Sequence, residues 1–278
     1  MTAMKLSRKK IENFREFIFS WWGGNKRNLP WRHTHDSYKI LVSEVMLQQT
    51  QVLRVIEKYR EFIQRYPTIF DLAKAPAADV LRVWKGMGYN RRALYLKKAA
   101  QTVVSHYGGV FPESEKVLVK LPGLGTYTAR AILVFAYKKD VACVDTNIRQ
   151  IITHFFFHDK PQKPAVIHSV ADELVPRGKA WEWHQALMDF GALAMPNAKC
   201  QMPNKKKKAI PFKESNRFYR GRIIDRLREG NLLESTIINE FQKKYGKSRE
   251  FICGILTGLE NDGLLARVAH GVIGLPKG

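Results

Sequence analysis

The feature that most constrains the fold of this chain is a repeated alternation between helical periodicity and backbone punctuation. Segments 53–65, 78–85, 91–107, 127–138, 147–157, 165–175 and 180–194 carry apolar residues at helical spacing. Between them lie Pro67, Pro76, Gly86-Met87-Gly88, Gly108-Gly109, Pro122-Gly123 and Pro161. Residues three and four apart share one face of a helix, so each run buries one side and needs neighbours to bury it against. Proline and glycine end the runs. Strand-like alternation is scarce before about residue 203, which predicts an all-α body. With 278 residues, 45% of them apolar, there is material for packed cores in one or two domains, or three small ones.

The pattern changes after PNKKKKAIPFKESN (203–216), where two prolines bracket Lys205–Lys208. A lysine run of this kind reads as a solvated linker, over 205–216, and is compatible with resting on phosphate. Beyond it, 217–229 suits a helix, 235–245 a second with Ser235 as N-cap, and 248–261 a third capped by Ser248. LLARV (264–268) and VIGL (272–275) read as a hairpin. Three helices and a hairpin over 217–278 describe a small winged-helix-like domain. Its helix-turn-helix part suits a DNA groove or a protein contact, and the sequence does not choose between them.

Charge narrows the class of partner. Lys plus Arg is 47 against 25 for Asp plus Glu, a formal net charge of +22. Such an excess governs association more than fold and points to a polyanion, nucleic acid before an acidic membrane. No window approaches the ~18 apolar residues of a membrane span. The N-terminal MTAMKLSRKKIENF has no apolar signal region. Cys143, Cys200 and Cys253 are too few and too dispersed for a disulfide framework or a spaced metal site. The expectation is a soluble, cytoplasmic, monomeric protein with no membrane partner.

Three features carry chemistry. The first is Leu121-Pro122-Gly123-Leu124-Gly125 ahead of TYTARAILVFAY. A tight glycine turn opening a helix presents backbone N–H groups and the positive helix end, which together hold a phosphate without a side chain. The second is Asp145 in VACVDTNIRQII, at an N-cap position, where N–H groups and helix dipole favour the anion. The third is Glu44, among Leu41, Val45, Met46 and Leu47, on a helix whose apolar stripe reads Val42, Val45, Val52, Ile56, Tyr59 and Ile63. Burial penalises an ionised carboxylate and makes Glu44 a proton donor near neutrality. One protonatable and one anionic carboxylate form a pair suited to breaking a glycosidic bond through an oxocarbenium-like transition state.

LPGLGTYTA (121–129) followed by Asp145 resembles the helix-hairpin-helix DNA glycosylases related to endonuclease III. LPWR (29–32), SEVMLQQTQV (43–52), WKGMGYNRRA (84–93), VDTNI (144–148) and MDFGALAM (188–195) are similar to motifs of the MutY-type adenine DNA glycosylases, in family order over about 28–200. The resemblance implies a two-lobed fold: one lobe from 1–29 with 136–204, and a six-helix lobe over 30–135 that holds the hairpin. It implies that Glu44 protonates the departing base and then activates water, and that Asp145 stabilises the sugar cation. Asn147 would orient a water or carboxylate. Tyr127 falls where bifunctional relatives carry a Schiff-base lysine, and tyrosine cannot form one, so strand-cutting activity is not expected. Gln48, Gln49 and Thr50 would enter the base stack and sense the opposite base, with Met87 and Tyr89 wedging nearby. Trp31 and Arg32 would border the extrahelical base. Leu121, Gly123 and Gly125 would form the phosphate-holding hairpin.

The implied substrate is double-stranded DNA with adenine opposite 8-oxoguanine or guanine. Thymine or uracil opposite guanine is the alternative within the superfamily, since PWRHTHD and the Tyr127–Asp145 pairing also occur there. A non-catalytic damage-sensing protein is an alternative of a different class. Two departures stand out. Most relatives end this region with four cysteines on a [4Fe–4S] cluster. Here the stretch has Cys200 alone, with Met195 near the first ligand position, so no cluster and no other cofactor is expected. The Nudix-like domain usual in MutY-type enzymes has no counterpart in 212–278, which is too short for it.

Overall fold

A computed structural model describes residues 6–195 and 211–277. In chain order its helices are α1 (Arg8–Gly23), α2 (Ser37–Leu47), α3 (Val52–Arg65), α4 (Ile69–Lys74), α5 (Ala77–Val83), α6 (Arg91–Tyr107) and α7 (Glu115–Leu118). They continue with α8 (Thr126–Phe135), α9 (Thr146–Phe157), α10 (Pro164–Leu174), α11 (Ala180–Leu193), α12 (Asn216–Glu229), α13 (Glu234–Tyr245) and α14 (Arg249–Asn261). Three short strands, β1 (Leu232–Leu233), β2 (Ala266–Ala269) and β3 (Val272–Gly274), complete the described secondary structure. Cys200 and Lys205–Lys208 lie outside the described residues.

The chain forms two compact units. One is built from 6–44, 111–120 and 124–195 of the described residues, the other from 45–110, 121–123 and 211–277. In the first, α1 starts at Ser7, whose side chain accepts from the Lys10 N–H, and buries Phe14, Ile18 and Trp22. It packs on α10 and α11, while α9 packs on both of those and α8 on α11. This division differs from the expected 30–135 lobe: 30–44, 111–120 and 124–135 group with the first unit. The reason is side-chain chemistry at long range, because Arg32 is bound to Asp189 of α11 and α8 lies against the same helix.

In the second unit α6 carries the core, with α4 and α5 packed on it. Phe62, Leu72, Leu81, Trp84 and Leu96 are fully buried there. The apolar stripe expected across 42–63 does not run unbroken. Residues 48–51 separate α2 from α3, Gln49 takes a left-handed φ of 55°, and α3 buries the expected Tyr59 together with Val55 and Phe62. The break shifts the helical phase, so a register counted through it puts Val52, Ile56 and Ile63, which are only half-buried, in the place of Val55 and Phe62, while Tyr59 falls on the buried face in both.

Downstream, α12, α13 and α14 and the three strands form the winged-helix arrangement, with sheet order β1-β3-β2, antiparallel throughout. Ser248 caps α14 by accepting from the Phe251 N–H at 3.2 Å. Ser235 is not a cap, because α13 begins at Glu234 directly after β1, with Leu233 in the cap position. The third strand, β1, pairs Leu232 with Ile273 and was not expected from its two residues. α12 packs on α5 within this unit. No helix among the described residues is long and apolar enough to cross a membrane.

Candidate active site

The first unit brings Glu44, Tyr127, Cys143 and Asp145 into one electrostatically coupled cluster. Glu44 lies on α2, a helix apolar on nearly all sides: Leu41, Val42, Val45 and Met46 around it are buried, and Glu44 itself is 6% exposed. A helix of that composition is interior, and an ionisable group placed on it loses its water. Burial pushes the Glu44 carboxyl up to about 7. The Tyr127 hydroxyl, which donates to it, pulls the other way, and the charge of Asp145 raises it further. The phenol is itself driven well above its ordinary range, first by burial and then by the neighbouring acids. It therefore stays a hydrogen-bond donor.

Asp145 caps α9, accepting from the Ile148 N–H at 2.7 Å. The segment leading to it is fixed by side chains. The Ala142 N–H donates to Asp172, the Ala142 carbonyl accepts from Arg130, and the Cys143 N–H donates to His184 Nε2 at 3.0 Å. His184 donates Nδ1–H to the Ala180 carbonyl at 2.7 Å, and burial lowers its pKa to about 4, so it is neutral. The Asp145 carboxyl is raised from its ordinary value. Burial outweighs the N–H groups of Ile148 and Asn147 and the charge of Arg27, all of which favour the anion. The sequence argument had put the cap first, and desolvation reverses that order.

Asn147 is half-buried in the first turn of α9. Gly191 of α11 makes its position available, because a Cβ at 191 would fall 2.6 Å from the Asn147 Cβ. Two residues earlier, Asp189 is fully buried and accepts from Trp22 Nε1 (2.9 Å) and from both terminal nitrogens of Arg32 (2.8 Å each). It also accepts from the side chain of Arg27. The paired donors hold the Asp189 carboxyl below its ordinary range despite burial. Arg32, expected to border an extrahelical base, is thus an interior clamp with only 6% of its side chain exposed. Trp31 beside it, in the short turn Pro30–His33, is buried. Asp189 and Arg27 were missed in the sequence. The one signal is an acid inside the otherwise apolar run ALMDFGAL, which burial makes untenable without cations.

The loops of the second unit are organised by another missed residue, Arg92. It is buried, and its guanidinium donates to the carbonyls of Val45 (2.7 Å), Met46 (3.1 Å) and Gln48 (2.6 Å) at the end of α2. It also reaches the Thr50 hydroxyl (3.1 Å) and the Met87 carbonyl (2.9 Å). One side chain thereby ties the Gln48–Thr50 turn to the 86–89 turn. Gln49 is exposed and Gln48 and Thr50 half-exposed, whereas Met87 is only 4% exposed and faces inward. Tyr89 is 40% exposed, with a left-handed φ of 44°.

In the 121–125 hairpin, Leu121 is buried and Gly123 has φ +78°. A Cβ at Gly123 would lie 2.6 Å from the Cβ of Tyr95, so the turn needs glycine there for space and for conformation. Gly125 stands at the N-cap of α8 and supplies no side chain, leaving that helix start uncapped by side chains.

A four-thiolate cluster does not fit this donor set. The sequence has three cysteines, Cys143 is buried in the first unit, Cys253 is on α14 of the second, and Cys200 lies outside the described residues. Among the described residues no group of three or more His, Cys, Asp or Glu is arranged to hold a metal ion.

The chain has counterparts among known proteins. Residues 42–177 match the family model described as the HhH-GPD superfamily of base excision DNA repair proteins. The chain is 34% identical over 199 residues to a thymine/uracil-DNA glycosylase of Methanothermobacter thermautotrophicus, covering 69% of this chain and 90% of that one. It is 42% identical over 178 residues to an adenine DNA glycosylase of Mycolicibacterium smegmatis, covering 63% of this chain and 61% of the relative. The structure of a thermostable thymine-DNA glycosylase superposes with a TM-score of 0.63 at 34% identity, over 66% of this chain and 87% of that one. The chain belongs to the HhH-GPD superfamily. It spans nine-tenths of the thymine/uracil relative and about three-fifths of the adenine relative.

Proposed function

We propose that this chain is a monofunctional DNA glycosylase of base excision repair that releases adenine opposite 8-oxoguanine or guanine. The observation that carries the reading is the buried Glu44 with its pKa near 7, hydrogen-bonded to Tyr127 and coupled to Asp145. At neutral pH a carboxyl in that position is divided between acid and base forms, which is what a group that first gives and then takes a proton needs. Glu44 passes its proton to a ring nitrogen of the extruded base as the C1′–N bond breaks and the bonding pair leaves with the base. The sugar cation is met by Asp145, whose anion the Ile148 and Asn147 N–H groups and Arg27 favour. Water then adds to C1′ and its proton returns to the Glu44 carboxylate.

Tyr127 holds the Glu44 carboxyl and provides no amine, so the strand is left intact at an abasic sugar. Asn147, kept beside Asp145 by Gly191, orients the water or the carboxylate. The hairpin with Leu121, Gly123 and Gly125 seats a phosphate, and Gln48, Gln49 and Thr50 with Tyr89 fill the stack the base leaves. An iron–sulfur cluster has no part in this reading, since the sequence offers three cysteines where a four-thiolate cluster needs four.

A second reading, excision of thymine or uracil opposite guanine, is favoured by the 34% identity to the thymine/uracil glycosylase over nine-tenths of its length. Two points favour adenine: the 42% identity to an adenine glycosylase and the SEVMLQQTQ string. Single-turnover excision on duplexes containing A:8-oxoguanine, A:G, T:G and U:G decides between them. Adenine release is expected; release of thymine or uracil without adenine overturns the choice, and no release from any duplex overturns the enzyme.

A further inference from the structure

The winged-helix-like part of the second unit encloses, together with the 86–95 segment, a cleft of about 770 Å³. Seven arginines and two aspartates line it, a formal excess of five positive charges. Asp225 is taken by Arg222 and Arg228, and Asp262 by Arg91 and Arg220. Arg54, Arg92 and Arg217 have no carboxylate partner among the described residues. Arg92 is spent on the carbonyls of the two turns. Arg54 is exposed on α3, and Arg217 stacks on Tyr89 at 4.9 Å and on Phe212 at 4.8 Å.

The cleft also shows aromatic surface to solvent, although Arg217 lies over both Tyr89 and Phe212 and Arg92 over Tyr89. Phe212 is 54% exposed and Tyr89 40%. Half-exposed rings beside the guanidinium groups of Arg54 and Arg217, which have no carboxylate partner among the described residues, match a nucleotide strand: the ring surface left uncovered stacks a base and the cations neutralise its phosphates. An acidic peptide would use the charge and leave the rings unexplained.

The same wall tells which helix of the winged-helix part meets DNA. α12 holds Arg217, Arg220, Arg222 and Arg228 on the cleft and Arg226 outside it, and of the five Arg217 alone has no carboxylate partner among the described residues. α14, the helix that would enter a groove in a helix-turn-helix reading, exposes Arg249, Glu250, Gly254 and Thr257 and carries Glu260 near its end. With one arginine against two glutamates α14 carries a formal charge of −1, whereas α12, with five arginines against Asp225 and Glu229, carries +3.

We infer that this cleft is a nucleotide-binding site for the DNA strand opposite the excised base, with α12 rather than α14 as the DNA-contacting helix of the winged-helix part. The choice of strand rests on the proposed function. Gln49 and Tyr89, assigned there to the stack vacated by the base, line the cleft, so the nucleotide within their reach is the one that has lost its partner.

The test uses the full chain and duplexes that need no catalysis. One carries a tetrahydrofuran abasic analogue with 2-aminopurine opposite it; a second carries 2-aminopurine beside the analogue in the same strand. On binding, the opposite-strand probe is expected to change its fluorescence, and Phe212→Ala to reduce that change at least about threefold, with the same-strand probe unaffected. Arg54→Ala and Arg217→Ala should each weaken binding about fivefold to tenfold at moderate salt. Each should also flatten the log K against log salt slope by about one. Arg54, exposed and without a carboxylate partner among the described residues, keeps the test independent of folding defects. A response confined to the same-strand probe overturns the strand assignment. Unchanged affinity and slope in both arginine variants overturn the site. Failure of the proposed activity shows separately, as a wild-type chain that binds these duplexes and releases no base.

Discussion

At the scale of single residues, Glu44 decides most. A carboxyl moved from its ordinary 4.5 to about 7 by burial is a poised acid, and it is also a cost to the fold. The unfolded chain ionises Glu44 near 4.5 while the folded chain resists ionising it until about 7. Stability contributed at low pH is therefore lost as pH rises through that window. Glu44→Gln should accordingly abolish base release, a fall in kcat of about 10²-fold or more, with duplex affinity retained. The same variant should be more stable than the parent at pH 8, by about 1–3 kcal/mol from the size of the shift, and the gap should close towards pH 4.5. Thermal unfolding across pH checks this, and equal loss of binding and turnover would make Glu44 structural. The parent's rate should also decline above about pH 7 as the donor empties.

At the scale of elements, the site depends on how closely helices approach. α9 and α11 meet where Gly191 faces Asn147, and α6 meets the hairpin where Gly123 faces Tyr95. Gly191→Ala should push Asn147 and the first turn of α9 away from their places. Excision should fall at least about tenfold, while thermal stability drops by about 1–3 kcal/mol, as for other overpacked contacts, and helix content is kept. Unchanged excision kinetics would show that the position of Asn147 does not matter to the reaction. These approaches also mark what was legible. The seven helical runs, the Ser248 cap and the Asp145 cap follow from local patterns, because capping and amphipathicity are written within a few residues. The burial of Glu44 was readable from its apolar neighbours. Ser235 and β1 were misread or missed because a two-residue strand has no periodicity, and pairing with β3 sets where α13 begins.

At the scale of the whole molecule, the +22 charge is the dominant statement. Neutralising phosphates releases counterions, so affinity for any duplex should fall steeply, by about 10³-fold between 50 and 200 mM salt if six or more phosphates are contacted. A flat response in a titration by fluorescence anisotropy would remove the basic surface from the account. Each unit is assembled from three stretches of chain, and the contacts that define the first run over long separations. Trp22 and Asp189 are 167 residues apart, Arg32 and Asp189 157.

The sequence by itself determined that the chain is helical, basic and equipped with two carboxylates in contrasting local settings, because periodicity, charge and capping are short-range properties. Only the tertiary structure decided that Arg32 closes on Asp189, that Met87 faces inward, and that Arg92 gathers the carbonyls of two turns. It also decided that burial outweighs the cap at Asp145. For Arg32 and Arg92 a partner distant in sequence sets the outcome, and the cost of leaving a charged group unpaired in the interior is settled only when the chain has brought that partner into place.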